Sequence, residues 1–301
     1  MRPVARFVFL LAGCTVLAVV LSPWLYMGVQ AMAAAKVPFA AYLARHPFHR
    51  YFNRMFQVSM GVTLPFLLYR SGFLSFKALG LRSSQACREL AFGAGSSLMI
   101  FALYGATLLL AGLYDRLSFY SGIPWGWIFG RIFLTSVLVA FFEELFFRGY
   151  LYPLFKQSMP RALAIGINAV FFAIVHYIKP ERSEDLDSVH WDSGFRMLGL
   201  AAEHLSHLSE MIGGIVVLIT IASMLCWSLD RTRSLYVAIG LHAGWIFALQ
   251  WHAEAMRPHV SWPVWVLGGG DLSQGVIAVL PLFLQWLLLN KWLPRKHPFS
   301  A

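Results

Sequence analysis

Charged side chains are what this chain has least of. Asp, Glu, Lys and Arg make up 13% of its 301 residues, against 58% hydrophobic residues and a mean hydropathy of +0.64. Ordinary globular chains carry about a quarter charged residues. So few charges cannot cover a water-facing surface, which excludes a pair of soluble domains and leaves a chain that faces lipid. Cysteine is sparse as well. Cys14, Cys87 and Cys226 stand far apart without metal or redox spacing, so no disulfide framework is expected. No long linker, repeat or low-complexity tract stands out.

Acidic residues are scarcest near the N-terminus. Residues 1–90 hold ten Lys/Arg against Glu89 alone, which supplies +9 of the +10 formal charge. Basic residues that flank apolar runs fit a lipid bilayer with anionic headgroups. No nucleic-acid partner is expected, because no recognition motif accompanies the charge.

What is present in quantity is long apolar runs, near 7–31, 55–70, 91–113, 126–152, 161–178, 209–229, 232–252 and 272–290. They predict an all-α, polytopic transmembrane helix bundle of about eight spans. Leu11-Ala12-Gly13-Cys14 has the form of a lipoprotein cleavage box, but hydrophobic sequence continues to Met27. A retained first helix is therefore expected. Basic connectors place both termini in the cytoplasm and the acidic stretch 179–210 outside. Residues 36–54 disagree, since they carry four basic residues on the outer side, and an interfacial segment or a misplaced first span would explain them. The expected location is a multi-pass place in a bacterial inner (plasma) membrane.

Inside the fourth run the sequence reads Phe141-Phe142-Glu143-Glu144-Leu145-Phe146-Phe147-Arg148. Two adjacent carboxylates in an apolar helix cost several kcal/mol unless paired or neutralised. Glu144 and Arg148 are four apart and share a helix face. Glu143 points about 100° away, toward another helix. Two carboxylates this close in low dielectric do not both ionise easily, the condition under which one can serve as a general base. A structural ion pair or a transporter's proton relay needs the same residues.

Two histidines favour chemistry. His176 lies in Phe172-Ala173-Ile174-Val175-His176 and His242 in Gly240-Leu241-His242-Ala243-Gly244. At 1.5 Å per residue, Glu143, His242 and His176 lie about 13, 15 and 22 Å from the cytoplasmic ends of their helices, close enough to share one layer once tilt is allowed. Such a set activates water in either of two ways. A carboxylate acts as base while histidines orient substrate and oxyanion, or two His and one Glu hold zinc with an open water position. The His-Glu-x-x-His spacing of zinc proteases is absent. Arg148 also compensates the carboxylates already. A site without metal or cofactor is therefore expected, with zinc as the alternative.

Glu-Glu-x-x-x-Arg at 143–148, Phe-x-x-x-His at 172–176 and a His motif at 242, in that order, resemble the CPBP family of CAAX prenyl proteases and bacteriocin-processing enzymes, glutamate-type intramembrane proteases. Phe76-Lys77-Ala78-Leu79-Gly80-Leu81 looks like the entry to that family's core. The resemblance implies a protease core over 75–252, flanked by N-terminal helices and a basic segment at 1–74 and by a loop and last helix at 253–301. It implies Glu143 as the water-activating base, Glu144 and Arg148 as its supporting pair, and His176 and His242 on the water, carbonyl or oxyanion. The family's third motif often has Asn or Asp where this chain has Ile246, so the oxyanion donor must be Trp245 or a histidine. The expected function is an intramembrane endopeptidase acting on a membrane-associated protein or peptide. The alternative is a non-proteolytic transporter or partner-stabilising protein that uses the Glu pair for protons or ions.

The remaining features read more plainly. His204 and His207 fit a solvated helix face, Trp262, Trp265 and Trp286 an interfacial aromatic belt, and Gly268–Asp271 a turn.

Overall fold

The structure, a computed structural model, describes residues 3–73, 75–116, 124–177, 186, 188–204, 211–259, 263–268 and 272–293. In chain order the helices are α1 (Pro3–Ala34), α2 (Ala40–Ala44), α3 (Phe48–Arg70), α4 (Ala86–Leu110), α5 (Trp125–Glu144), α6 (Tyr152–Lys156), α7 (Arg161–Tyr177), α8 (Ser193–His204), α9 (Ile212–Thr232), α10 (Leu235–Ala255), α11 (Val264–Leu267) and α12 (Val279–Trp292). A π-helical turn, Leu145–Leu151, joins α5 to α6. Strands β1 (Tyr114–Arg116) and β2 (Met256–Pro258) form a short antiparallel ribbon with Asp115 opposite Arg257. The protein is an all-α helical membrane bundle. Among the described residues four helices are long and apolar enough to cross a membrane: Phe7–Ala34, Ala86–Leu110, Trp125–Lys156 and Ile212–Thr232.

The chain forms two compact units, one of Met1–Gly72 with Ile174–Leu208, the other of Phe73–Ala173 with Ser209–Ala301. The first is built on α1, α3 and α8. A Cβ on Gly194 would lie 1.9 Å from the Val19 carbonyl oxygen, so α8 touches the α1 backbone itself. Where lipid offers no hydrophobic drive between helices, small residues promote association by letting backbones approach. Phe48, Tyr51 and Phe52 of α3 join Ala18, Val19, Val29 and Met197 in the core. Tyr26 meets Phe48 and Tyr51 edge-on, with ring centroids 5.6 and 5.1 Å away.

Two sequence expectations change here. The run near 55–70 begins as a helix at Phe48, because an inward aromatic face at 48, 51 and 52 outweighs the basic residues between them. The basic stretch 36–54 is therefore α2 and the first turns of α3, with His49 buried. Within the polar stretch 179–210, Ser193–His204 is a helix whose Ser193, Met197 and Ala201 face inward. Its acids had masked that four-residue periodicity. His207, Trp262 and Gly269–Asp271 lie outside the described residues, as do 179–185, 187 and 205–210.

The second unit is organised by α4 against α10. A Cβ on Gly93 would meet the Val237 carbonyl oxygen at 2.6 Å, one on Gly240 the Leu90 oxygen at 2.3 Å, and one on Gly244 the Ala94 oxygen at 2.8 Å. Gly240 and Gly244 are one turn apart, as are Gly93 and Ser97, so each helix offers a flat strip to the other. Ser97 Oγ donates to the Leu241 carbonyl at 3.0 Å. Gln285 of α12 donates to Ser97 Oγ at 2.9 Å and accepts from Trp245 Nε1 at 2.7 Å. Gly80, with φ +70°, brings the segment after Phe76 against the α9–α10 connector, where its carbonyl accepts from Leu235 N at 2.8 Å.

A charged clamp ties α6, α7 and α9. Asp230 accepts from Tyr152 Oη at 2.5 Å, Lys156 Nζ at 2.7 Å and Arg161 Nε at 2.6 Å.

Gly240→Val is expected to force α10 off α4 and to lower stability by about 1–3 kcal/mol or more, the cost of overpacking. Gly95→Ala, with open space around its Cβ, is the control. Thermal unfolding of both variants in detergent reads the difference, and equal midpoints would refute the close approach.

Candidate active site

Glu143 and Glu144 close α5, and Arg148 sits in the π turn beyond them. A π turn takes five residues per hydrogen bond instead of four, and such turns recur at functional sites. Phe146 to Leu151 are all buried, so this turn is packed on every side, unlike the lipid-facing helix before it. Leu79 lies against it, its Cδ2 3.3 Å from where a Gly149 Cβ would be. The Phe76–Leu81 segment thus supports the turn that carries Arg148.

The two carboxylates have different surroundings. Glu144 is fully buried, and its Oε1 accepts from Arg148 Nη1 at 2.9 Å and pairs with His242 Nδ1 at 2.8 Å. Glu143 keeps 25% of its side chain exposed, and its Oε2 stands 3.9 Å from His242 Nε2. His242 therefore bonds Glu144 through one ring nitrogen and turns the other toward Glu143 across 3.9 Å. Glu144 Oε1 thus takes both the Arg148 contact and the His242 Nδ1 contact.

Arg148 is fully buried too. Its guanidinium lies 4.6 Å from the Phe172 ring centroid and 5.6 Å from that of Phe147, and Nη2 reaches the Ala222 carbonyl at 3.3 Å. The Phe172 ring also meets His242 edge-on at 5.8 Å. Aromatic faces compensate a desolvated cation where water is excluded. Glu144 Oε2 and Arg148 Nε remain buried without a hydrogen-bond partner among the described residues.

The structure thus brings Glu143, Glu144, Arg148 and His242 together. His176 lies in the last turn of α7, within the segment Ile174–Leu208 that belongs to the other unit, and its place among the four rests on the sequence pattern. Trp245 is spoken for: it is buried with its Nε1 on Gln285, so it does not replace the donor missing at Ile246. Among the described residues no group of three or more His, Cys, Asp or Glu is arranged to hold a metal ion.

Sequence reasoning missed Asn168, Gln285 and Asp230. Asn168 is buried in α7 and donates to the Phe147 carbonyl at 3.2 Å. An uncharged polar residue alone in an apolar run was the available signal, since such a group is costly there unless bonded.

The site is thus an acid pair backed by arginine and histidine in a helical membrane bundle. Residues 124–248 match the family of type II CAAX prenyl endopeptidase, Rce1-like, and the match spans Glu143, Glu144, Arg148, His176 and His242. That stretch, in an integral membrane protein, is similar to an endopeptidase family. No curated protein and no solved structure matches the chain.

Arg148→Met is expected to leave Glu144 as an uncompensated buried charge and to cost roughly 3–5 kcal/mol. Adding Glu144→Gln should restore part of the loss. Detergent unfolding of the single and double variants measures both effects.

Proposed function

We propose that the protein is an intramembrane endopeptidase that cuts a membrane-associated protein or peptide with a water activated by Glu143. The observation that carries the reading is the unequal burial of two adjacent carboxylates that share one histidine. Glu144, held by Arg148, is a fixed charge. Glu143 keeps a quarter of its side chain exposed, and the role of base is assigned to it.

A water within reach of both Glu143 Oε2 and His242 Nε2 donates one hydrogen to each and turns its remaining lone pair toward a scissile carbonyl. As its oxygen attacks, Glu143 takes the proton and passes it to the departing amine nitrogen. The carbon–oxygen bond forms, the carbon–nitrogen bond breaks, and no net proton is gained or lost on the protein. Glu144 keeps the His242 ring in one tautomer and orientation throughout. Ile246 has no donor and Trp245 is engaged, and it is the family resemblance alone that assigns the oxyanion to His176. The site works without a metal in this reading, because Arg148 supplies the positive charge that a cation would otherwise bring. Residues 124–248 resemble CAAX endopeptidases, which favours a substrate cut near a membrane-anchored C-terminus.

Glu143→Gln and His242→Ala are each expected to lower cleavage of a membrane-anchored peptide by about 10²- to 10⁴-fold in protein that still folds and inserts. Persistent cleavage in both would refute the mechanism, and loss of ion flux in its place would favour a transporter. A second outcome concerns metal. Activity should survive a strong chelator, and purified protein should carry no stoichiometric zinc. Zinc at one equivalent, lost with activity and restored with it, would reverse that choice.

A further inference from the structure

The π turn after Glu144 is closed at one carbonyl. Phe147 O accepts from the backbone N–H of Tyr152, five residues on, and that bond defines the wide register. The same oxygen accepts a second hydrogen bond, from Asn168 Nδ2 on α7 at 3.2 Å. The other end of the Asn168 amide is fixed as well, because its Oδ1 accepts from Cys226 Sγ of α9 at 3.4 Å. All three residues are buried, and Asn168 and Cys226 have no exposure at all. Four residues beyond Asn168, on the same face of α7, Phe172 lies under the Arg148 guanidinium.

We propose that Asn168 is a positioning residue of the site, its buried amide holding the Phe147 carbonyl in the π register of the turn that carries Arg148. The inference rests on the protease reading above for its kinetic part only. A carbonyl has two acceptor positions, and in a dry helix bundle water does not fill the second. Asn168 fills it. Return to the four-residue register would move the Phe147 bond to Leu151 and rotate α6 relative to α5 by about 100°. The Glu144–Arg148 spacing would survive, but the turn from Gly149 on would swing away from Leu79 and loosen the packing that holds Arg148. Cys226 has a part in this: its thiol proton on Oδ1 selects the amide orientation that leaves Nδ2 facing Phe147. A leucine fills the volume of Asn168 without a donor, and an aspartate would set an acceptor against an acceptor.

The test uses the full-length protein in detergent or lipid with two readouts, hydrogen exchange of the backbone over 146–153 and cleavage of a membrane-anchored peptide. Asn168→Leu should speed exchange at the Tyr152 amide by about tenfold or more. It should also lower kcat by about tenfold, the kinetic equivalent of one hydrogen bond, with KM unchanged. Cys226→Ser, which keeps a donor to Oδ1, should match wild type in both, while Cys226→Val should shift both in the direction of Asn168→Leu. A folded Asn168→Leu protein with wild-type exchange and wild-type kcat overturns the proposal. Should Asn168→Leu fail to fold, the Cys226 pair decides, and equal behaviour of Ser and Val overturns it. Should wild type cleave no peptide, the protease reading fails while hydrogen exchange still decides for or against Asn168.

Discussion

One buried carboxylate sets the terms for the second unit. Glu144 has no exposed surface, and an isolated charge there would cost several kcal/mol. Everything around it answers that cost. Arg148 brings a full positive charge one turn away, His242 brings a second donor from α10, and the rings of Phe147 and Phe172 cover the arginine. For His242 to reach, α10 has to run close to its neighbours, which Gly240 and Gly244 on either side of it allow. A bulky pair at those positions would move the histidine off the acid.

The neighbouring carboxylate has the opposite character. Glu143 differs from Glu144 by one step along the helix, yet the 100° rotation between them leaves one in a dry pocket and the other partly open. A fully buried carboxylate and a partly exposed one therefore stand side by side with the His242 imidazole between them and α10. Environment thus sets two chemically identical side chains apart.

The outer parts of the unit hold that geometry rather than take part in it. Asp230 gathers Tyr152, Lys156 and Arg161 and so anchors the rod beyond the π turn. Gln285 ties Trp245 of α10 to Ser97 of α4 just past His242. Arg231 caps the last helix through Asn290 and the Leu293 carbonyl. In a membrane such bonds have no water competing for them, so a few suffice to fix helix register.

Much of this was legible in the sequence, for a definite reason. Composition and apolar runs depend only on the solvent, so scarcity of charge already meant a helical membrane bundle. The Glu144–Arg148 pairing is local, since four residues is one helical turn, and the divergence of Glu143 comes from the same arithmetic. What the sequence could not decide depends on how closely a second helix approaches. Burial of Glu144 but not Glu143, the loss of Trp245 to Gln285, and the Asn168 bond to Phe147 all arise between segments far apart in the chain. The start of α3 at Phe48 and the helix at Ser193–His204 escaped hydropathy for the same cause: their inward faces pack on partners that no window of sequence contains. Periodicity is a property of one helix, but desolvation is a property of its neighbours, and only the tertiary structure supplies those.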